Sequence, residues 1–206
     1  MFESPAGEEH IAVGKDGEGY GICDVSGDHN QYFDYAEFGN SGNWGPATVL
    51  SQSATSVKIS RNTSDGVWTL TQTFTRVSGA SPSVKIAMAL KNNTALDRTV
   101  FLMRYVNVDA AGVFQNNLDA TTNSAFGWNS IGANSPFGLV LQNVGESPFN
   151  FSGFVQNDPD GRAPCSTTLH QVPGPLTGTD GSVFMFYAGT VPKWVSRTAT
   201  VSYKGF

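Results

Sequence analysis

Arg104 sits where an apolar residue is expected. It alternates with Val100, Leu102, Val106 and Val108, so all five share one face of an extended segment. A guanidinium buried without a carboxylate partner is costly. Asp109 closes the same segment and Asp119 follows ten residues on. One of these two is the expected partner. With Tyr105 and Asn107, Arg104 forms a polar strand end, a set of groups that can hold sugar hydroxyls by paired hydrogen bonds. The plainer reading is an Arg that reaches a rim or makes a structural pair with an acid on a neighbouring strand.

Carboxylates are the second source of chemistry. Glycoside hydrolysis uses two of them about 5–10 Å apart. Asp34 with Glu37, and Asp109 with Asp119, are the candidate pairs. Asp109, Asp119 and His170 are the first candidates for an acid–base set, although most acids in such contexts only stabilise turns. Aromatics are the third. Trp44 and Trp128 are flanked by Gly and Asn. An aromatic face can cover the C–H face of a pyranose while amides bond its hydroxyls. Trp68 and Trp194 read instead as core residues.

No nucleophile elbow, zincin helix, CxxC or phosphate loop occurs. His10, His29 and His170 have no metal-ligand spacing, and Cys23 and Cys165 are too few for a zinc ribbon. Asp158-Pro159-Asp160-Gly161, and Asp28-His29-Asn30 with Asp34, match calcium loops only weakly. Neither a metal nor a cofactor is expected.

The elements that must position these residues are strands. Val67–Val77, Ser83–Leu90 and Thr99–Asp109 alternate with period 2. Shorter candidates are Ile11–Gly14, Tyr20–Val25, Gln31–Tyr35, Thr48–Gln52, Val57–Arg61, Ala125–Asn129, Gly138–Val144, Phe149–Gln156, Val183–Thr190 and Thr198–Tyr203. Asp65-Gly66 and Asp180-Gly181 read as hairpin-type turns. No window carries a 3.6-residue apolar period, so little or no helix is expected. A dozen strands will not lie in one flat sheet. The expected fold is all-β, a two-sheet antiparallel β-sandwich forming a single domain over 1–206, with a closed barrel as the alternative. Asp109–Asn123 and Gln156–Gly178 interrupt the strand rhythm and read as long loops.

The chain has 206 residues, 14% charged, with a net charge of −5. It has no basic block, so nucleic acid is not an expected partner. No apolar run approaches the ~18 residues of a membrane span. The amide-rich, Lys-poor composition resembles extracellular β-proteins, which points to a secreted or periplasmic protein. The two cysteines then form either one long-range disulfide or two separate thiols. Met1-Phe2-Glu3-Ser4 is not a signal peptide. Either the chain is cytoplasmic or Met1 replaces a removed leader, and the composition favours the second.

Trp68–Val77 and Val84–Asp109, together with Ser182–Phe206, resemble the central strands and final hairpin of galactose-mutarotase-like supersandwich domains of bacterial carbohydrate-active proteins. That resemblance implies a supersandwich-like fold and a carbohydrate ligand. The family places a His near the end of the strand matching Thr99–Asp109; here Arg104, Tyr105 and Asn107 occupy that stretch. Three functions follow as expectations: a secreted module that binds carbohydrate, with or without processing it, a hydrolase or lyase with an Asp/His acid–base set, or a structural or adhesive surface domain without a small-molecule site.

Overall fold

Alternating apolar and polar residues place one row of side chains on each face of a strand, and two such sheets bury their apolar rows against each other. The computed structural model has this architecture; it describes residues 10–11, 17–27, 29–35, 39–130, 136–157, 164–165 and 174–206. Fourteen strands are present among the described residues. The first seven are β1 (Glu18–Asp24), β2 (Asn30–Asp34), β3 (Thr48–Gln52), β4 (Ser56–Asn62), β5 (Trp68–Val77), β6 (Ser83–Asn92) and β7 (Arg98–Asn107). The rest are β8 (Asn116–Ala120), β9 (Ser124–Asn129), β10 (Phe137–Asn143), β11 (Asn150–Gln156), β12 (Leu176–Thr179), β13 (Ser182–Val191) and β14 (Ser196–Gly205). One sheet has five strands in the order β11-β13-β7-β1-β2, and the other nine in the order β12-β8-β9-β10-β14-β6-β5-β4-β3. Neighbours are antiparallel throughout. The all-β sandwich expected from the sequence is therefore present, and helix is limited to one 3-10 turn at Ala110–Gly112 among the described residues.

Two expectations need correction. Asp109–Asn123 is not strandless, since it contains β8. Asn and Asp are poor strand formers; here Leu118 is buried in the core, and Asn116 donates from Nδ2 to the carbonyls of Val108 (2.7 Å) and Val113 (2.8 Å). Gln156–Gly178 likewise contains most of β12. The expected strand Ile11–Gly14 falls mainly outside the described residues.

Trp68, Leu70, Ile86, Met88, Val100, Leu102, Val106, Leu141, Met185 and Val201 fill the space between the sheets. A second cluster covers the other face of the five-stranded sheet, with Tyr35, Met103, Tyr105, Phe184 and Phe186 at its centre. The central strand β7 is therefore buried on both faces, which explains why its sequence is apolar on both. Each fully buried large apolar side chain contributes about 1.5–3 kcal/mol. Cys23 and Cys165 are joined by a disulfide beside the second cluster. Gly21 is required here: a Cβ would lie 2.6 Å from the Tyr35 hydroxyl and 3.0 Å from Pro164 Cβ.

The turn between β4 and β5 ties the sheets together. Asp65 accepts hydrogen bonds from Thr63 Oγ1 (2.6 Å), from the Val67 N–H (3.0 Å) and from the Tyr32 hydroxyl on the opposite sheet. Partial burial pushes its carboxyl up, but these hydrogen bonds outweigh it and hold the group below its ordinary pKa. A depressed carboxyl adds stability above its unfolded pKa and loses it as pH falls through the folded value. Asp65→Asn should therefore flatten the acid limb of the stability curve between about pH 5 and pH 2. Urea midpoints across that range check this; parallel curves for the two proteins would refute it.

Candidate functional site

Arg104 lies opposite Tyr20 on β1 and Met185 on β13. Its side chain enters the space between the sheets and is only 2% exposed. Nε donates to the Tyr203 hydroxyl (3.1 Å), Nη1 to Gln72 Oε1 (2.7 Å), and Nη2 to Glu18. The Tyr203 hydroxyl donates in turn to Glu18 (2.8 Å). The Phe74 and Tyr203 rings stand 5.6 and 5.8 Å from the guanidinium carbon. The expected carboxylate partner exists, but it is Glu18 on β1 rather than Asp109 or Asp119. Burial favours a neutral guanidinium, yet Glu18 and Tyr203 more than offset this and raise the Arg104 pKa. Burial and Glu18 together push the Tyr203 hydroxyl well above its usual pKa. Neither group exchanges a proton near neutral pH, so the cluster is a fixed polar link between the sheets rather than a proton-transfer site.

A second ion pair lies alongside. Arg61 on β4 pairs with Asp34 on β2, and it donates to the Tyr20 hydroxyl (3.1 Å) and the Gly45 carbonyl (3.0 Å). Tyr20 links the two ion pairs: it is cross-strand from Arg104 on one side and from Asp34 on the other. Trp44 is fastened into this cluster. Arg61 sits 5.4 Å from its ring centroid, and the Tyr20 and Tyr32 rings meet it at steep angles, 5.4 and 6.2 Å away. It is thus a half-buried packing residue, not the open stacking face that its Gly/Asn flanks suggested. Asp34 is engaged by Arg61, and its proposed companion Glu37 lies outside the described residues.

The remaining polar candidates separate. Tyr105 follows Arg104 directly and so faces the other way. It packs against Tyr35 and Phe184, and its hydroxyl accepts a hydrogen bond from Ser182 (3.0 Å). Asn107 shares its parity and is buried. Arg104, Tyr105 and Asn107 therefore do not form one surface. Asp109 is buried where β7 leads into the 3-10 turn; its N–H donates to the His10 carbonyl (3.2 Å), and His10 Nδ1 accepts from the Ala111 N–H (3.2 Å). Asp119 lies on β8, cross-strand from Phe126, and accepts from the Ala120 N–H (2.8 Å). Asp109 is thus buried at a strand exit, while Asp119 belongs to the partly exposed row of β8. His170 and Asp158–Gly161 lie outside the described residues.

Trp128 is half-buried like Trp44, but its neighbours differ. It lies on β9 beside Phe126, with centroids 5.5 Å apart and planes 30° from parallel. Both are half-buried and alternate with the buried Ala125, Gly127 and Asn129, so they form a row on the outer face of the nine-stranded sheet. Trp128 is cross-strand from Asn117 and Gly138, and Phe126 from Asp119 and Val140. Gly138 has no room for a side chain because a Cβ there would strike the Phe206 ring. Phe206 therefore extends the aromatic strip across β10. Lys204, opposite Val140, and Gln142, opposite Ser124, are its polar borders. Trp194 also departs from expectation: it is 60% exposed, in a turn at φ +62°, instead of in the core.

The sequence held a signal for the Arg104 cluster that only pairing could complete. Gln72 interrupts the inward row Trp68, Leu70 and Phe74 of β5, just as Arg104 interrupts that of β7. Two polar breaks on facing apolar rows mark a buried hydrogen bond. Glu18, Arg61 and Tyr203 carried no such mark. No protein-family model matches this chain, and no curated protein matches it.

Proposed function

We propose that the protein binds carbohydrate on the outer face of its nine-stranded sheet, with Phe126 and Trp128 as the stacking platform. The observation that carries this reading is the side-by-side pair of half-buried rings, 5.5 Å apart, on the outer face of one strand. Asn117 and Asp119 border it on β8, and Gln142 and Lys204 border it on β10 and β14. Rings to cover sugar C–H faces, with amide, carboxylate and ammonium groups at hydroxyl distance, form a recurrent recognition chemistry. The resemblance to supersandwich domains adds support by analogy only. The Cys23–Cys165 bond supports an oxidising, extracellular setting. Binding, rather than hydrolysis, is the reading that the ring pair supports.

The test couples affinity to stability. Glycan-array screening of the wild-type protein identifies the polysaccharide bound. Trp128→Ala should then weaken that binding roughly ten-fold or more, about 1.4 kcal/mol, with only a small change in melting temperature. Equal affinity in the two proteins, or no glycan bound by the wild type, would defeat the proposal.

A further inference from the structure

His29 lies in the connection from β1 to β2 at φ +53°, a region that non-glycine residues rarely occupy. Histidine, like Asn and Asp, enters this region more often than other side chains do. Here the side chain stands beside the disulfide. The two sulfurs of Cys23 and Cys165 and one ring nitrogen of His29 all lie within 4.8 Å of one another. Cys23 is fixed in the sheet at 1% exposure, Cys165 is half-buried, and His29 is exposed. The cluster is therefore anchored on one side and open to solvent on the other. Cys23 and His29 flank the short β1–β2 connection, and the fold brings Cys165 to them from far along the sequence.

We propose that the reduced chain binds Zn²⁺ through Cys23, Cys165 and His29, leaving one coordination position to water. A thiol reductant supplies two electrons and two protons, breaking the S–S bond and leaving two thiols. Zn²⁺ then replaces both thiol protons, which pass to solvent, and takes the neutral imidazole as its third ligand. Tetrahedral zinc holds sulfur at about 2.3 Å and nitrogen at about 2.0–2.1 Å, so its ligand atoms sit roughly 3.5–3.8 Å apart. The His29 nitrogen needs to move by about an ångström or less to meet that geometry. The sulfurs need to separate, with the half-buried Cys165 moving rather than the sheet-held Cys23. The same two cysteines thus serve as a cross-link in oxidising surroundings and as soft metal ligands in reducing ones. This inference is independent of the carbohydrate reading and survives its failure.

The experiment uses the full chain, reduced with excess dithiothreitol, freed of it without oxygen, and titrated with Co²⁺ and then Zn²⁺. A sulfur-to-cobalt charge-transfer band with tetrahedral d–d bands is expected, and Zn²⁺ should abolish both. The oxidised chain should show neither. His29→Ala should bind at least as much more weakly as the roughly ten- to hundred-fold seen when groups that merely orient metal ligands are lost. If reduction unfolds the chain, Zn²⁺ should restore its β-sheet circular dichroism in the wild type and not in His29→Ala. A reduced chain with no charge-transfer band and no metal-dependent refolding overturns the proposal, as does a His29→Ala variant that binds like the wild type.

Discussion

Arg104→Met is expected to lower the unfolding free energy by about 3 kcal/mol, the low end of the cost of breaking a buried ion pair, because the Glu18 left behind is 28% exposed. The guanidinium is 2% exposed and serves three acceptors, Glu18, Gln72 and the Tyr203 hydroxyl. The variant keeps most of the volume but strands the Gln72 carbonyl and leaves Glu18 with Tyr203 as its remaining partner in the cluster. For a chain of this size, the melting temperature should fall by roughly 2–4 °C per kcal/mol. Replacing Gln72 by Leu in the same chain should recover part of the loss, because an apolar pair leaves fewer orphaned groups than half of a polar one. Urea unfolding of both variants checks this. A loss below about 1 kcal/mol would place Arg104 among surface ion pairs instead.

Removing the disulfide should cost about as much. Cys23 and Cys165 are 142 residues apart, and closing a loop of that length is worth up to about 5 kcal/mol on the chain-entropy model. Measured values often fall short of that figure, so about 3–5 kcal/mol is the expected loss for Cys23→Ala with Cys165→Ala. Alanine is chosen because Cys23 is buried and a serine hydroxyl there would add a separate penalty. Reduction of the wild-type chain in metal-free buffer should reproduce the same loss. Alkylation of two free thiols in the untreated protein, or an unchanged urea midpoint, would refute this prediction.

The strands could be read where period 2 persisted. β5, β6 and β7 each run for ten residues, and their apolar rows face the core. β8 could not, because Leu118 is the one large apolar residue in Asn116–Ala120. The anomaly of Arg104 was visible, but its partner was not. Glu18 is 86 residues away, and only the pairing of β1 with β7 brings the two together. Reading Arg104 and Tyr105 as one polar end overlooked the alternation that had identified the strand. The tryptophans show the limit of local context. Trp44 has the flanks of a surface residue and is packed by Arg61 and Tyr20, whereas Trp194 lies among apolar neighbours in sequence and is exposed by a turn.

The place of β14 bears on how the chain is made. It is the last strand in chain order, yet it lies in the interior of the nine-stranded sheet, between β10 and β6. Until Ser196–Gly205 has been synthesised, that sheet exists as two separate halves, each with an unpaired edge. Those edges carry Leu139 and Leu141 on one side and Ile86, Met88 and Leu90 on the other, all buried in the finished fold. At roughly 5–20 residues per second, several seconds pass between the completion of β6 and the arrival of the strand that covers it. During that interval the nascent chain offers sticky β edges to any neighbour. The topology therefore ties closure of this sheet to the arrival of β14 and gives holding chaperones a defined window in which to act.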